Sequence, residues 1–277
     1  MKLRPASLLV LSWLVCLAAP VRAEAPRPLR LAAVSIENRD ATVREFTAFL
    51  LHLEKLLAAP VEHAHFSRYE DLIEAFREHR VDLAYLGPLP YVQLTAAAAH
   101  ARPVVRFAEA DGAGAYRCVL AASRADRVDP KELAGAPLGL PQPLSTCGPL
   151  SATALLARTA AIPLEATRSR VLGNHEAVAL ALAAGEIRVG TMKESIARKY
   201  ESLGLEILAA TDPIPGFVLV AATDRLGAAR VDRLRADLLA TPASTFAAWG
   251  ASIRNGMEAA LDADYDGVRR LAREKPR

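Results

Sequence analysis

The sequence predicts an α/β protein whose chain forms two lobes joined by two crossings. Apolar runs typical of strands alternate with segments of helical periodicity along most of the chain. A loose glycine-containing segment at 110–115 and a proline-rich turn at 212–216 interrupt this alternation, so we take them as the crossings. Hydrophobic residues make up 52% of the 277 residues, which is enough for a packed core.

The first 23 residues have the order of a secretory signal peptide. Basic residues near the start precede an apolar run from about Leu8 to Ala19, and small residues lead up to Ala23. The run is shorter than the roughly 20 residues that span a bilayer, so we predict cleavage after Ala23, with Ala25 as the second choice. The alternatives are an uncleaved anchor and lipid attachment at Cys16. Cleavage would deliver the mature chain to an oxidising compartment.

The charge balance of the chain excludes one class of partner. Of the 34 basic residues, the first 23 positions hold Lys2, Arg4 and Arg22 without any acid, and the chain has 31 acidic residues in all. The mature chain is therefore neutral. Because binding to a phosphate backbone needs a surplus of Lys and Arg on one face, we expect no nucleic-acid partner.

In the first lobe we predict strands that alternate with helices. A helix from about Ala41 to Ala58 carries apolar residues at helical spacing. The next helix begins with Ser67-Arg68-Tyr69-Glu70, which has the pattern of a capping box and places Tyr69 in the first turn, at an edge of the sheet. The chain forms this lobe with residues 24–111 and returns to it with 214–277. The predicted strands of the first part are 29–35, 61–66, 81–86 and 104–108.

Residues 112–213 form the second lobe in this interpretation. From Gly227 onward the chain reads as helical. Two such lobes leave a cleft between them, with helix N-termini facing inward at the strand ends. The strands predicted here and for the return to the first lobe are 116–122, 137–140, 168–172, 187–191, 205–209 and 217–222, and the helices of the second lobe are 149–159 and 177–184.

A polar turn follows the strand at 137–140. Ser145, Thr146, Cys147 and Gly148 precede Pro149, a residue suited to a first helical turn. The turn should therefore expose backbone amides and hydroxyls at the positive end of a helix dipole, which is an arrangement that binds anions. An ordinary Ser/Thr helix cap is the alternative interpretation.

Two further strand ends carry candidates for the same cleft. His175 follows Gly173 and Asn174 between a strand and a helix, where it can donate to an oxyanion from either ring nitrogen, although such a histidine is also common as a cap or on a surface. Tyr85 and Gly87 end another strand, and a glycine there lets the backbone approach a ligand closely.

On these motifs the chain resembles the substrate-binding proteins of phosphonate-type ABC transporters, which are type II periplasmic binding proteins. The resemblance runs from about Leu29 to Arg270 and implies a two-lobed fold with a hinge of two crossings. It also implies a periplasmic location, a small oxyanion ligand such as phosphonate, phosphite or phosphate, and an ABC permease of the inner membrane as partner. We expect a monomer without cofactor or metal. The segments that carry the resemblance are 69–73, 81–88, 116–120, 145–148, 173–177 and 264–269.

Members of that family hold phosphonate oxygens with a Ser-Thr-Ser turn, a histidine after a glycine, and tyrosines of the first lobe and hinge. Those that take aminoalkylphosphonates hold the amine with carboxylates. Here Phe217 follows the Ile-Pro-Gly turn where one carboxylate is expected, and Glu194 is only an uncertain match for the other. The resemblance therefore implies a ligand without an ammonium group. The ligand-binding residues that it implies are Tyr69, Tyr116, Ser145, Thr146, Cys147 and His175, with Tyr85, Gly87 and Gly148 as secondary candidates.

Cys118 and Cys147 stand where many relatives have serine, and three interpretations remain open. They can form a disulfide in the oxidising compartment. Alternatively, a reduced thiol in the cleft would favour a thiophilic oxyanion such as arsenite, or the thiol has no role in binding.

Two other functions keep the same fold. The protein could be a ligand sensor for a membrane histidine kinase, or an enzyme with Cys147 as nucleophile and His175 as base. We expect a binding protein and not an enzyme, because no known hydrolase motif is present. His63 and His65 share one face of a predicted strand, as metal ligands can, but we interpret them as part of a strand edge.

Overall fold

The computed structural model describes residues 27–34 and 39–273. The predicted leader, its cleavage sites and Cys16 lie outside these residues. No helix in the described ranges is both long enough and apolar enough to cross a membrane. The described chain forms two α/β lobes with a short ribbon between them.

The first lobe begins with alternating strands and helices. In chain order these are β1 (Leu29–Val34), α1 (Arg39–Leu57), β2 (Val61–Phe66), α2 (Tyr69–Arg77), β3 (Leu83–Leu86), α3 (Pro88–Ala97) and β4 (Ala101–Phe107). The hinge strand β5 (Ala115–Tyr116) then leads into the second lobe, which contains β6 (Cys118–Ser123), β7 (Pro137–Leu140), α4 (Ser151–Ala160), β8 (Arg168–Val171), α5 (His175–Ala183), β9 (Val189–Lys193), α6 (Glu194–Lys199) and β10 (Leu205–Ala210).

The chain returns to the first lobe through a second hinge strand. The returning elements are β11 (Ile214–Pro215), β12 (Val218–Ala222), α7 (Thr223–Leu226), α8 (Ala228–Leu239), α9 (Ala243–Phe246), β13 (Met257–Ala259) and α10 (Asp266–Arg273). Strands β5 and β11 pair antiparallel as the hinge ribbon. The expected pair of crossings is therefore present.

Each lobe has one mixed sheet. The first lobe has the strand order β13-β4-β12-β3-β1-β2, and the second has β10-β6-β9-β7-β8. The expectation of largely parallel sheets holds only for part of each, because β12 and β6 run antiparallel to their neighbours. Both strands enter their lobe directly from the hinge, at the edge where the parallel strands end, so they run in the opposite direction.

Two local predictions are wrong. The capping box at Ser67 does not form: α2 begins at Tyr69, its cap residue Arg68 is extended, and no side chain caps it. Because the helix starts one residue later than the box requires, Glu70 cannot occupy the third helical position. The tail beyond Gly227 is not purely helical either, since β13 pairs with β4 at the sheet edge.

The hydrophobic core crosses the hinge. One buried cluster joins Tyr85 and Phe107 of the first lobe, Tyr116 of the ribbon and Cys147 of the second lobe. His63 and His65 lie half-buried on the edge strand β2, where the His63 ring lies against Phe46 of this cluster. The lobes therefore meet through a packed apolar region next to the predicted anion turn.

Candidate functional site

The predicted anion turn is a tightly held backbone structure. Residues Thr146–Leu150 form one wide helical turn before α4, and Gly148 within it has non-helical angles. The Gly148 amide donates to the carbonyl of Ser145 at 2.9 Å. A Cβ at Gly148 would lie 2.3 Å from the carbonyl oxygen of Gln142, so only glycine fits. Pro149 lies in this wide turn and not, as predicted, in the first turn of a regular α-helix.

The turn is shielded from solvent. Ser145 and Thr146 are each 3% exposed. The Ser151 hydroxyl donates to the carbonyl of Thr146 at 2.6 Å, which anchors the turn to the start of α4. The hydroxyls of Ser145 and Thr146 are therefore held in a fixed place inside the protein.

His175 lies beside this turn and does not cap its own helix. The cap of α5 is Asn174, whose side-chain oxygen accepts from the amide of Ala177 at 2.7 Å. His175 Nε2 lies 3.3 Å from Ser145 Oγ. The cap and surface alternatives for this histidine therefore do not describe it.

The tautomer of His175 is set by the neighbouring strand. The amide of Lys193 donates to His175 Nδ1 at 3.0 Å, so Nδ1 is an acceptor and the ring proton is on Nε2. The expectation that either nitrogen could donate to a ligand is therefore wrong: only Nε2 faces the turn with a proton. Burial, and secondly the charge of Lys193, lower the pKa of His175 to about 3, so the ring is neutral at neutral pH.

Lys193 is the main site residue that sequence analysis missed. It ends β9 with its side chain 6% exposed, and its ammonium is 2.7 Å from a carboxylate oxygen of Glu109, just before the first crossing. The same nitrogen lies 5.1 Å from the ring centroids of both Tyr116 and Phe217. A lysine at the carboxyl end of an otherwise uncharged strand was the available signal.

Three buried tyrosines converge from different elements. Tyr69 starts α2, Tyr85 lies on β3 and Tyr116 ends β5. Their phenols lie near enough for Tyr69 to interact electrostatically with both of the others. Burial raises the pKa of each phenol well above its usual value, and for Tyr116 the Thr146 hydroxyl opposes this rise. All three phenols therefore keep their protons and remain hydrogen-bond donors.

The two lobes touch directly at this place. The amide of Leu89, near the start of α3, donates to Thr146 Oγ1 at 2.9 Å. A Cβ added to Gly87 would lie 3.2 Å from the Phe217 ring and 3.6 Å from Thr146 Oγ1. Gly87 is therefore closely approached by the Phe217 ring, and Thr146 of the opposite lobe lies within van der Waals distance.

The sulfurs of Cys118 and Cys147 are 2.00 Å apart, in a disulfide. Cys118 is the first residue of β6, directly after the hinge ribbon. The bond therefore ties the anion turn to the strand that enters the lobe. With both sulfurs bonded, Cys147 can offer its backbone amide to a ligand but not a thiol.

Two further polar atoms in the second lobe are buried without a hydrogen-bond partner. These are Gln142 Oε1, next to the turn in the chain, and Thr191 Oγ1 on β9. Thr191 is two residues before Lys193, so both side chains point to the same face of the strand. Buried polar atoms normally have partners, and a bound ligand or water can supply them. A cavity of about 470 Å³ borders the turn, and Thr146 is the only predicted ligand residue that lines it.

Comparisons with known proteins place these features in a family context. A family model described as "ABC transporter, phosphonate, periplasmic substrate-binding protein" matches residues 31–265. The chain is 28% identical over 283 residues to the phosphate-import protein PhnD of Mycolicibacterium smegmatis, covering 89% of this chain and 85% of that protein.

Solved structures give the same fold. PhnD1 of Prochlorococcus marinus in complex with methylphosphonate has a TM-score of 0.77 at 18% identity, covering 90% of this chain and 98% of that one. The binding protein component of an ABC phosphonate transporter from Pseudomonas aeruginosa also has a TM-score of 0.77, at 22% identity, covering 88% and 85%. The two-lobed type II architecture is thereby confirmed.

Proposed function

This chain belongs to the family of periplasmic substrate-binding proteins of phosphonate ABC transporters, and on that premise we propose that its turn at 145–148 binds a small tetrahedral phosphorus oxyanion: phosphonate, phosphite or phosphate. The observation that carries the proposal is the neutral Nε2–H of His175, held 3.3 Å from Ser145 Oγ inside the protein. Two relatives agree with this ligand class: one solved with methylphosphonate and one named for phosphate import.

The donors around the turn suit an anion with several oxygens. These donors are all neutral and come from four elements: the hydroxyls of Ser145 and Thr146 in the turn, the Nε2–H of His175 in α5, and the phenols of Tyr69 in α2 and Tyr116 in β5. Each hydrogen bond to a charged oxygen contributes about 1.5 to 3 kcal/mol. Three such bonds at the upper end of this range, or five at its lower end, reach about the 8 kcal/mol that corresponds to a dissociation constant of 1 μM.

The charged groups of the site set its selectivity. Lys193 is paired with Glu109, so the pair adds no net charge, and the ligand is held by neutral side-chain donors and the amide of Cys147. At the position where the family resemblance implies a carboxylate for an amine, this chain has Phe217, whose ring lies 5.1 Å from the ammonium of Lys193. The structure thus supports a ligand without an amine.

The chemistry of the cysteines separates the alternatives. Arsenite capture and nucleophilic catalysis both need a free thiol at Cys147, and its sulfur is bonded to Cys118. We therefore favour binding over catalysis. We favour transport over sensing for a histidine kinase because the matching family serves ABC transporters. On this proposal the mature protein works in the periplasm as a monomer that delivers its ligand to an ABC permease of the inner membrane.

Calorimetric titration of the mature protein tests the proposal. We expect saturable binding of methylphosphonate, phosphite or phosphate at micromolar concentrations or lower, and no heat with 2-aminoethylphosphonate or sulfate. Ser145→Ala should weaken binding by at least about tenfold, since it removes a hydrogen bond to a charged group. The matched control is Ser169→Ala, an exposed serine of β8 in the same lobe. No heat with any of the three phosphorus oxyanions from folded protein would refute the proposal.

A further inference from the structure

Three metal-ligating side chains meet in the first lobe, far from the anion turn. His79 lies between α2 and β3, His100 directly precedes β4, and Asp224 lies in α7 directly after β12. Because β12 runs antiparallel to β3 and β4, it ends at the edge of the sheet where those two strands begin. The anion turn contacts Leu89, beyond the other end of β3. The cluster therefore lies at the opposite edge of this sheet.

The spacing of the three side chains matches that of a chelate. His79 Nδ1 lies 3.2 Å from Asp224 Oδ2, and His100 Nδ1 lies 3.5 Å from the same oxygen. The ligand atoms of all three residues lie within 4.8 Å of one another. Zinc bonds of about 2.0 to 2.2 Å in a tetrahedron place ligand atoms about 3.3 Å apart. Two of the separations already match, and the half-exposed ring of His79 can move to close the third.

The ring of His100 is oriented for a metal. Its Nε2 lies 3.4 Å from the carbonyl oxygen of Phe76, and its plane stacks on the Phe76 ring at 3°. A proton on Nε2 that is donated to this carbonyl leaves a lone pair on Nδ1, directed at the Asp224 carboxylate. In this tautomer Nδ1 can coordinate an ion that the Asp224 carboxylate also binds. A hydrogen bond from the other ring nitrogen to a backbone carbonyl, as from Nε2 to Phe76 here, is also the arrangement that orients metal-bound histidines.

The backbone holds the three residues in place. Both the amide and the hydroxyl of Thr223 donate to the carbonyl of His100, each at 2.9 Å, which fixes the start of α7 next to His100. His79 has a left-handed backbone with φ of 59°, uncommon for a residue other than glycine. Its carbonyl accepts from Arg27 at 3.2 Å.

The neighbouring cations do not occupy the cluster. Arg27 lies 3.0 Å and Arg225 lies 3.5 Å from the same oxygen of Asp82, a fully buried carboxylate. Both guanidinium groups are thus directed to another partner. The ligand atoms of the histidines and Asp224 remain turned toward one another.

From this geometry we propose that His79, His100 and Asp224 form a site for a divalent transition-metal ion of the zinc type, with the fourth position open to water. Two imidazoles and one carboxylate suit zinc and its neighbours in the series better than magnesium or calcium, which prefer oxygen ligands. The ion would link three segments that are distant in the chain and would stabilise the first lobe. Neither the two-residue spacing at His63 and His65 nor any other local motif predicts this site, since the ligands come from three separate elements.

Calorimetric titration of zinc chloride into metal-stripped, tag-free protein tests the proposal. We expect one saturable site in the wild type. Asp224→Asn and His100→Ala should each lower the affinity by at least about tenfold, the scale on which even outer-shell partners matter. Zinc should also raise the Tm of the wild type more than that of Asp224→Asn, because an ion that binds only the native state stabilises it.

The controls separate a site from general binding by histidines. His52→Gln removes a histidine of α1 that contacts Thr241, and it should leave zinc affinity unchanged. His79→Asn changes a side chain that is 47% exposed, so it provides a folded variant even where His100→Ala does not fold. Absence of saturable zinc binding in the wild type, or equal affinity in His79→Asn and the wild type, would overturn the proposal.

Discussion

The amide of Leu89 in the first lobe donates a hydrogen bond to Oγ1 of Thr146 in the second lobe, at 2.9 Å. Both groups are buried, and the bond lies where a candidate ligand residue meets the opposite lobe. The Thr146 oxygen thus accepts from the other lobe, and the same hydroxyl lies beside the Tyr116 phenol. One hydroxyl therefore serves both lobe closure and, on our proposal, ligand binding.

Thr146→Val tests this double role. Valine has nearly the same shape but no acceptor, so the Leu89 amide would be buried without a partner in the closed state. Such a loss costs about 1 to 3 kcal/mol, which corresponds to a decrease in oxyanion affinity of roughly 5- to 150-fold. Thr146→Ser should keep most of the affinity. Calorimetry that finds equal affinity for the valine and serine variants would contradict this role for the hydroxyl.

Lys193→Met tests the buried ion pair. Removal of the ammonium leaves the Glu109 carboxylate largely buried without its partner, and we expect the free energy of unfolding to fall by up to about 3 kcal/mol. The double variant with Glu109→Gln should recover part of this loss. Lys131→Met, at an exposed position of the second lobe, is the matched control and should change stability by less than about 0.5 kcal/mol. Urea unfolding measures both variants. Equal losses of unfolding free energy in Lys193→Met and Lys131→Met would show that the ion pair does not stabilise the protein.

The neutral state of His175 makes stability depend on pH. Its pKa is lowered to about 3 in the folded protein by burial and then by Lys193, whereas the unfolded side chain has its ordinary pKa near 6.5. Between these values the unfolded state binds more protons, so this residue's contribution to stability is complete above pH 6.5 and is lost as the pH falls toward 3. His175→Gln should remove that slope.

Urea midpoints of the wild type and His175→Gln at pH 7, 6 and 5 measure the effect. The difference between the two proteins isolates the histidine, because other titrating groups are common to both. We expect the wild type to lose stability relative to the variant by up to about 1.4 kcal/mol per pH unit below pH 6. A difference that stays constant over this range would show that His175 is not buried in its neutral form.

The disulfide between Cys118 and Cys147 should contribute to stability. It closes a loop with a sequence separation of 29 residues, for which the loss of chain entropy in the unfolded state predicts about 3 to 4 kcal/mol. Unfolding with and without reductant measures this contribution, and Cys118→Ser with Cys147→Ser should match the reduced protein. A thiol assay that detects two free cysteines in protein purified from the periplasm would contradict the bond.

Much of the site could be predicted from local sequence. A strand end followed by a polar turn and a helix is a local pattern, and this pattern alone predicts Ser145, Thr146 and His175 as site residues. Strand and helix positions followed from apolar periodicity for the same reason. The prediction of a capping box at Ser67 is wrong because the start of α2 depends on how Tyr69 packs in the first lobe, and no local sequence pattern encodes that packing.

The sequence by itself determined the alternation of strands and helices, the two crossings and the polar turn, because each depends on residues adjacent in the chain. Only the tertiary structure decided which groups oppose one another across these elements. The amide of Lys193 donates to Nδ1 of His175 and so fixes the ring proton on Nε2, and the Thr146 hydroxyl accepts a hydrogen bond from the amide of Leu89. The clustering of His79 with Asp224 likewise requires the folded sheet. Such contacts join residues far apart in sequence, so packing of the sheets and the closed hinge, and not local propensity, creates them.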